Sequence, residues 1–257
     1  MCSDPVGGES IFNSYFPGVG TGNVVALSAG ALSIPSVGPT CDLLRILPPL
    51  EAMDFAFPSE KILCLPPSIT PPSAVALVVA GEYPQIVRRL SQAGMISFTE
   101  SPHAVNGVFG TVKPDGSIRL IVDARPANTF FVPPPRVCLP TPECLSQLLL
   151  APDQDLFVAK TDLDNFYHRI KLPLWLHTYF ALPGIRVREL DESVRRDGDL
   201  VTHIMDAIVF PCLMSLPMGW SFSVYLAQLA HEYIMYTSGV FSPHRSHTCG
   251  QVSMVAQ

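Results

Sequence analysis

A chain of 257 residues with 48% hydrophobic side chains can bury one large core or two ordinary ones. Its net charge of −6 excludes a protein that is basic throughout and binds nucleic acid by bulk charge, yet the charge is uneven. Residues 84–136 carry six basic and three acidic side chains, against two and seven before them and eight and twelve after. The longest uncharged stretch, Ser10 to Cys41, is interrupted throughout by Gly, Ser and Pro, and no charged start leads into an apolar run. The sequence therefore predicts neither a membrane span nor a secretory leader, and an intracellular protein. Seven scattered cysteines without a Cys-x-x-Cys pair fit a reducing compartment. His244, His247 and Cys249 are short of the four ligands a structural zinc needs and read as part of a polar tail.

In chain order, residues 1–75 are rich in Gly, Ser and Pro and predict a loosely ordered leader wrapped on a later core. SAVALVVAG and YPQIVRRLSQAGMI place apolar residues at helical intervals and predict a helical pair with stops at Gly81 and Gly94. Val108–Lys113 and Ser117–Asp123 flank Pro114-Asp115-Gly116 and predict a hairpin, with Ile118, Leu120 and Val122 on one face and Arg119 and Ile121 on the other. Thr141, Pro142 and Glu143 have the chemistry of a helix start for ECLSQLLL. DLFVAKTD reads as a buried strand ending at Asp162, and KLPLWLHTYFALP as strand pieces around a turn. The charged stretch Arg186 to Gly198 reads as a solvent-facing loop or hairpin, IMDAIVFPCLMSLP as a second apolar strand region, and Ser221 to Tyr236 as a helix. Residues 238–257 form an atypical tail. Strands and helices alternate without the period of a doubly wound sheet, so the expected class is α+β.

The chemistry-bearing residues fall in three blocks. VKPDGSIRLIVDARPAN holds Lys113 and Arg119 beside a turn, a mobile point charge and a planar fork that together suit a polyanion. LFVAKTDLDNFYHRIKL puts Asp162 at a strand end with the Leu163 carbonyl beside it, a set of oxygen donors suited to magnesium. Asp164 faces the same way only in an extended chain, and the aromatic run after it favours a turn. LPMGWSFSVYLAQ opens a helix that carries Gln228. Taken singly, the blocks read equally well as an exposed basic hairpin, solvated strand-end acids and a packed aromatic.

In this order and spacing the three blocks resemble the reverse transcriptases of retroviruses and gypsy-like LTR retrotransposons, over roughly residues 84–236. The resemblance implies a right-hand polymerase fold, with fingers from about 84–137 and 170–215 and a palm from 138–169 and 216 onward. It implies that Lys113 and Arg119 grip a deoxynucleoside triphosphate, that Asp162 with the Leu163 carbonyl holds magnesium for catalysis, and that Tyr167 excludes a 2′-hydroxyl. It further implies that Met218 and Gly219 contact the nucleotide, Gly219 by close backbone approach, and that Arg125 and Gln228 face an RNA or DNA template-primer. Met218, Phe222, Ser223 and Val224 depart from the family's usual residues, which leaves fine specificity open.

Two-metal phosphoryl transfer needs carboxylates from two places, and the family supplies the second pair from a Tyr-x-Asp-Asp hairpin after the Gln-bearing helix. No Asp follows Asp206 here, and Glu232 is the only later acid. The expectation is a truncated domain, fingers and an incomplete palm, without activity on its own and exposing an open sheet edge. RNase H and integrase modules are the expected polyprotein neighbours. Two further readings stay open, a nucleic-acid-binding remnant that does no chemistry and an α+β protein with no nucleic-acid role.

Overall fold

The computed structural model describes residues 24–64, 72–137, 139 and 162–239. The predicted hairpin is its centre. Strand β5 (Gly107–Val112) pairs antiparallel with β6 (Ile118–Asp123) in the register Thr111 to Arg119 and Val112 to Ile118. Asp115 closes the turn by accepting from the Ser117 amide and hydroxyl at 2.9 and 2.6 Å, as an Asx side chain does. Leu120 and Val122 are buried while Arg119 is exposed, the alternation that period-two patterning demands.

Much of the expected leader packs into this core. Residues 24–64 supply β1 (Val24–Val25), antiparallel to β5, and β2 (Leu32–Ser33), parallel to β6, which makes a four-stranded sheet of order β1-β5-β6-β2. They continue into β3 (Cys41–Asp42), the one-turn helix α1 (Leu43–Ile46) and helix α2 (Pro49–Ala56). Leu27, Leu43 and Phe55 from this segment are fully buried. Residues 1–23 lie outside the described residues.

The predicted helical pair is half a pair. Helix α3 (Tyr83–Gln92) buries Ile86, Val87 and Leu90 and ends just before Gly94. Residues 72–80 are not helical but extended. Leu77 donates to the Val108 carbonyl at 2.7 Å, Val79 to Leu27 at 2.9 Å, and Leu27 to Leu77 at 2.9 Å. The β-branched Val75, Val78 and Val79 suit that pleated surface, and tertiary pairing overrides the helical spacing.

A second sheet has the order β4-β9-β8, all antiparallel, from β4 (Ile96–Thr99), β9 (Ile208–Leu213) and β8 (Ile185–Arg186). The apolar strand predicted near residue 208 is thus present. Two other expectations are corrected. Leu174–Phe180 is a 3₁₀ helix, not strand pieces, and buries Leu176, His177, Tyr179 and Phe180 in a crowded core. The charged stretch 186–198 is a 3₁₀ turn, Val187–Glu189, followed by helix α6 (Glu192–Asp197), anchored by buried Val187, Leu190 and Val194. A short α4 (Arg125–Asn128) follows β6, and a final helix α7 (Ser223–Thr237) follows the Leu-Pro-Met-Gly turn, as expected. Between them a one-turn helix α5 (Phe166–Arg169) leads into β7 (Ile170–Lys171), which pairs parallel with β3. The predicted helix at 143–150, the strand residues 155–161 and the tail from 240 lie outside the described residues.

An aromatic cluster joins these parts. Trp220 packs 5.0 Å from Phe180, 5.1 Å from Phe131 and 5.4 Å from Phe222, ring centre to ring centre, and Phe55 sits 5.6 Å from Phe222. The class is α+β with open sheets. No helix among the described residues is long and apolar enough to cross a membrane.

Candidate functional site

Three separate segments meet around a cleft of about 530 Å³, within the range of small-molecule sites. The first wall is the hairpin. Lys113 leaves the end of β5 and Arg119 leaves β6, so the turn brings two cations to one side of the sheet. Lys113 Nζ donates to Ser33 Oγ at 3.1 Å and stands 3.6 Å from the Asp115 carboxylate. Ser33 pairs in register with Arg119, so β2 completes this wall.

The second wall is the turn Asp162 to His168. Asn165 adopts φ 52°, a left-handed conformation that a short amide side chain tolerates. Its Nδ2 donates to Asp164 at 3.0 Å, and Arg169 lies 3.9 Å from the same carboxylate. Asp164 is thereby a turn residue, as the sequence predicts. Asp162 and Leu163 are exposed to the cleft. Tyr167 is half-buried, and burial pushes its phenol pKa up. His168 is buried, and burial together with the nearby Arg119 charge lowers its pKa to about 4.

The third wall comes from Met218 and from α7, through Val224, Ala227, Gln228 and His231. Gln228 is positioned by donating to Glu232 at 2.6 Å, one helical turn on. His231 stands edge-on to Phe166, 6.4 Å between ring centres.

Of the nine residues singled out from the sequence, Lys113, Arg119, Asp162, Leu163, Tyr167, Met218 and Gln228 line this one cleft. Arg125 and Gly219 do not. Arg125 turns away to clamp Asp123, donating from Nε at 2.8 Å and Nη2 at 2.6 Å, and reaches the Ser73 carbonyl at 3.1 Å. Gly219, at φ 128°, lets the Val122 carbonyl approach so closely that a Cβ would sit 1.9 Å from it. The close backbone approach expected at Gly219 is therefore made to the chain's own hairpin.

His168, Phe166, His231 and Ser33 line the cleft and escaped the sequence reading. His168 lies in the same block as Asp162 and Tyr167, but its burial depends on packing that no local pattern reports. Ser33 arrives through a parallel pairing between distant segments, which leaves no short-range signal. For a magnesium ion the cleft lining offers Asp162 with Leu163 beside it, Asp164 being engaged by Asn165 and Arg169, and no group of three His, Cys, Asp or Glu side chains suited to a metal occurs among the described residues. That donor set fits an ion that keeps waters and takes further ligands from a bound phosphate, as magnesium does, rather than an all-protein cage.

Compared with known proteins, the chain matches no family model and no curated protein.

Proposed function

We propose that the cleft binds a deoxynucleoside triphosphate against a nucleic-acid template, as part of a reverse transcriptase-like fingers and palm. One observation carries this reading: seven residues chosen from sequence for a shared chemistry, drawn from three segments, line a single cleft. Lys113 and Arg119 supply charge and a fork of donors to the polyphosphate. Asp162 and the Leu163 carbonyl, from a second wall, would hold a magnesium ion brought with the phosphates, which would neutralise their charge. Tyr167 offers a flat ring to the sugar, and Gln228 with Met218 borders the side where a template base would lie.

A second reading is a unit that holds nucleotide or nucleic acid without chemistry. It is favoured by the acid count, since among the described residues Asp162 and Asp164 are the only carboxylates on the cleft wall and Asp164 is engaged by Asn165 and Arg169. Primer extension with magnesium, deoxynucleotides and an RNA template, alongside equilibrium binding of the same components, separates the two. Extension by the purified chain supports the enzyme. Binding without extension supports the second reading, and no binding of either component removes both.

A further inference from the structure

Strand β2 brings to the cleft a residue that lies outside all three sequence blocks. Leu32 and Ser33 pair parallel with Ile118 and Arg119. By the pleat, Leu32 turns into the core, where it is 3% exposed, and half-buried Ser33 shares the face of Arg119. Arg119 is paired with Thr111 across the hairpin, which puts Lys113, two residues further on, on that face as well. The side chains confirm it, since Lys113 Nζ donates to Ser33 Oγ at 3.1 Å, and all three residues line the cleft.

This contact leaves one donor free. A serine hydroxyl carries one O–H and two acceptor positions, whereas an ammonium only donates, so Ser33 Oγ is the acceptor here. It makes no other hydrogen bond among the described residues, and its O–H is therefore uncommitted, on a rotor that turns to meet an acceptor. The Asp115 carboxylate stands farther from Nζ, at 3.6 Å, so the closer partner of the Lys113 charge is the neutral hydroxyl. Lys113 and Arg119 make this face attractive to an anion. An anion oxygen that accepts from Nζ comes within reach of a hydroxyl 3.1 Å from that nitrogen, and a hydroxyl that accepts from a cation is a stronger donor. We infer that Ser33 is a third contact for the bound nucleotide, its Oγ–H donating directly to a polyphosphate oxygen that Lys113 also holds. This rests on the nucleotide-binding reading above and extends that site to a segment 80 residues before Lys113.

The test is isothermal titration of the full chain, in magnesium, with dTTP and separately with inorganic tripolyphosphate. Ser33→Ala is expected to weaken both ligands about tenfold, the loss of one hydrogen bond to a charged acceptor. Ser33→Thr, which keeps the hydroxyl and suits a strand, is expected to stay within about threefold of wild type. Should the Ala variant fail to fold, Ser33→Cys replaces it, a similar shape with a weak donor and the same expected loss. The Lys113→Ala background separates contact from positioning: a hydroxyl that touches the ligand still counts there, and adding Ser33→Ala should cost about a further fivefold. No further loss in that background would mean that Ser33 only steers the ammonium, and overturns the inference. Affinity at or above wild type in Ser33→Ala overturns it too, because the hydroxyl then merely occupies Lys113. So does a loss for dTTP with none for tripolyphosphate, which would place the contact on sugar or base. If wild-type binding is absent, or is unchanged when Lys113 and Arg119 are both replaced by Ala, the underlying reading fails and this inference with it.

Discussion

The amide of Val122 donates to the Met218 carbonyl at 2.9 Å, and the carbonyl of Val122 occupies the space where Gly219 would carry a Cβ, 1.9 Å away. The hairpin that bears Arg119 is thus seated on the Leu-Pro-Met-Gly turn backbone to backbone, and two of the three walls of the cleft share one joint. Asn128 reinforces it, donating to the Gly219 carbonyl at 3.2 Å and accepting from the Ser221 amide at 2.9 Å.

Gly219→Ala should therefore cost about 3 kcal/mol or more, because the new methyl meets backbone atoms and φ 128° already disfavours a side chain. Gly116→Ala is the control. It has positive φ as well, 81°, but its Cβ would meet open space, so the cost is about 1 kcal/mol. Urea denaturation compares the two. Equal losses would mean that the Val122 contact yields and that the joint is not rigid.

Asp123 and Arg125 form the second fixed point. The pair is well shielded, 8% and 15% exposed at the side chains, and Asp123 also accepts from the Val75 amide at 2.7 Å. Burial alone would raise the Asp123 pKa, but the Arg125 guanidinium and the Val75 amide outweigh it and hold the carboxyl below its usual value. Removing one partner with Arg125→Met strands a buried carboxylate and is expected to cost about 3 kcal/mol. Because the folded pKa is depressed, the pair's contribution is present above the unfolded carboxyl pKa of about 3.9 and is lost as pH falls through the lower folded value. The stability gap between wild type and Asp123→Asn should close below about pH 4 in acid titrations followed by circular dichroism. A gap that persists there would place the stabilisation elsewhere.

The contrast between Lys113 and Ser33 explains what could be read from the chain. Lys113, Arg119 and the hairpin between them are legible because turn chemistry and period-two alternation act within a dozen residues. The turn at Asp164 is legible for the same reason. Ser33 is not, since its place on the cleft wall depends on a parallel pairing with β6 across more than eighty residues of chain. Residues 72–80 mislead in the opposite direction: their spacing is helical, yet the unpaired edges at Leu27 and Val108 draw them into extended pairing. The resemblance assigns Arg125 to the template-primer because sequence shows its charge and not its commitment to Asp123.

His168 sets the next expectation, at milder pH. Its pKa in the folded chain is about 4, against about 6.5 for an unperturbed imidazole, because burial and then the Arg119 charge disfavour the cation. The unfolded chain therefore takes up the proton first as pH falls. The fold keeps its full stability above about pH 6.5 and loses it progressively down to about pH 4, by about 3 kcal/mol in all. His168→Phe should abolish that slope while leaving the steeper loss below pH 4, where Asp123 titrates. Denaturation midpoints measured across this range check both limbs, and an unchanged slope in the Phe variant would mean that another group titrates.

The last expectation concerns nucleic acid. If the cleft takes the sugar-phosphate chain of an RNA–DNA duplex, affinity must fall steeply with salt, because each phosphate neutralised releases condensed counterions. Replacing both Lys113 and Arg119 by Ala removes two cations from one wall and should reduce the slope of log affinity against log salt by about 2. The comparison residue is Arg88, which belongs to another depression and is held by Asp191 at 3.0 Å. Arg88→Ala should leave the slope and the affinity near wild type. Fluorescence anisotropy of a labelled duplex over a salt series makes the measurement. An equal fall in slope for all three substitutions would assign the binding to diffuse surface charge, and a slope insensitive to Lys113 and Arg119 would remove the hairpin from the interface.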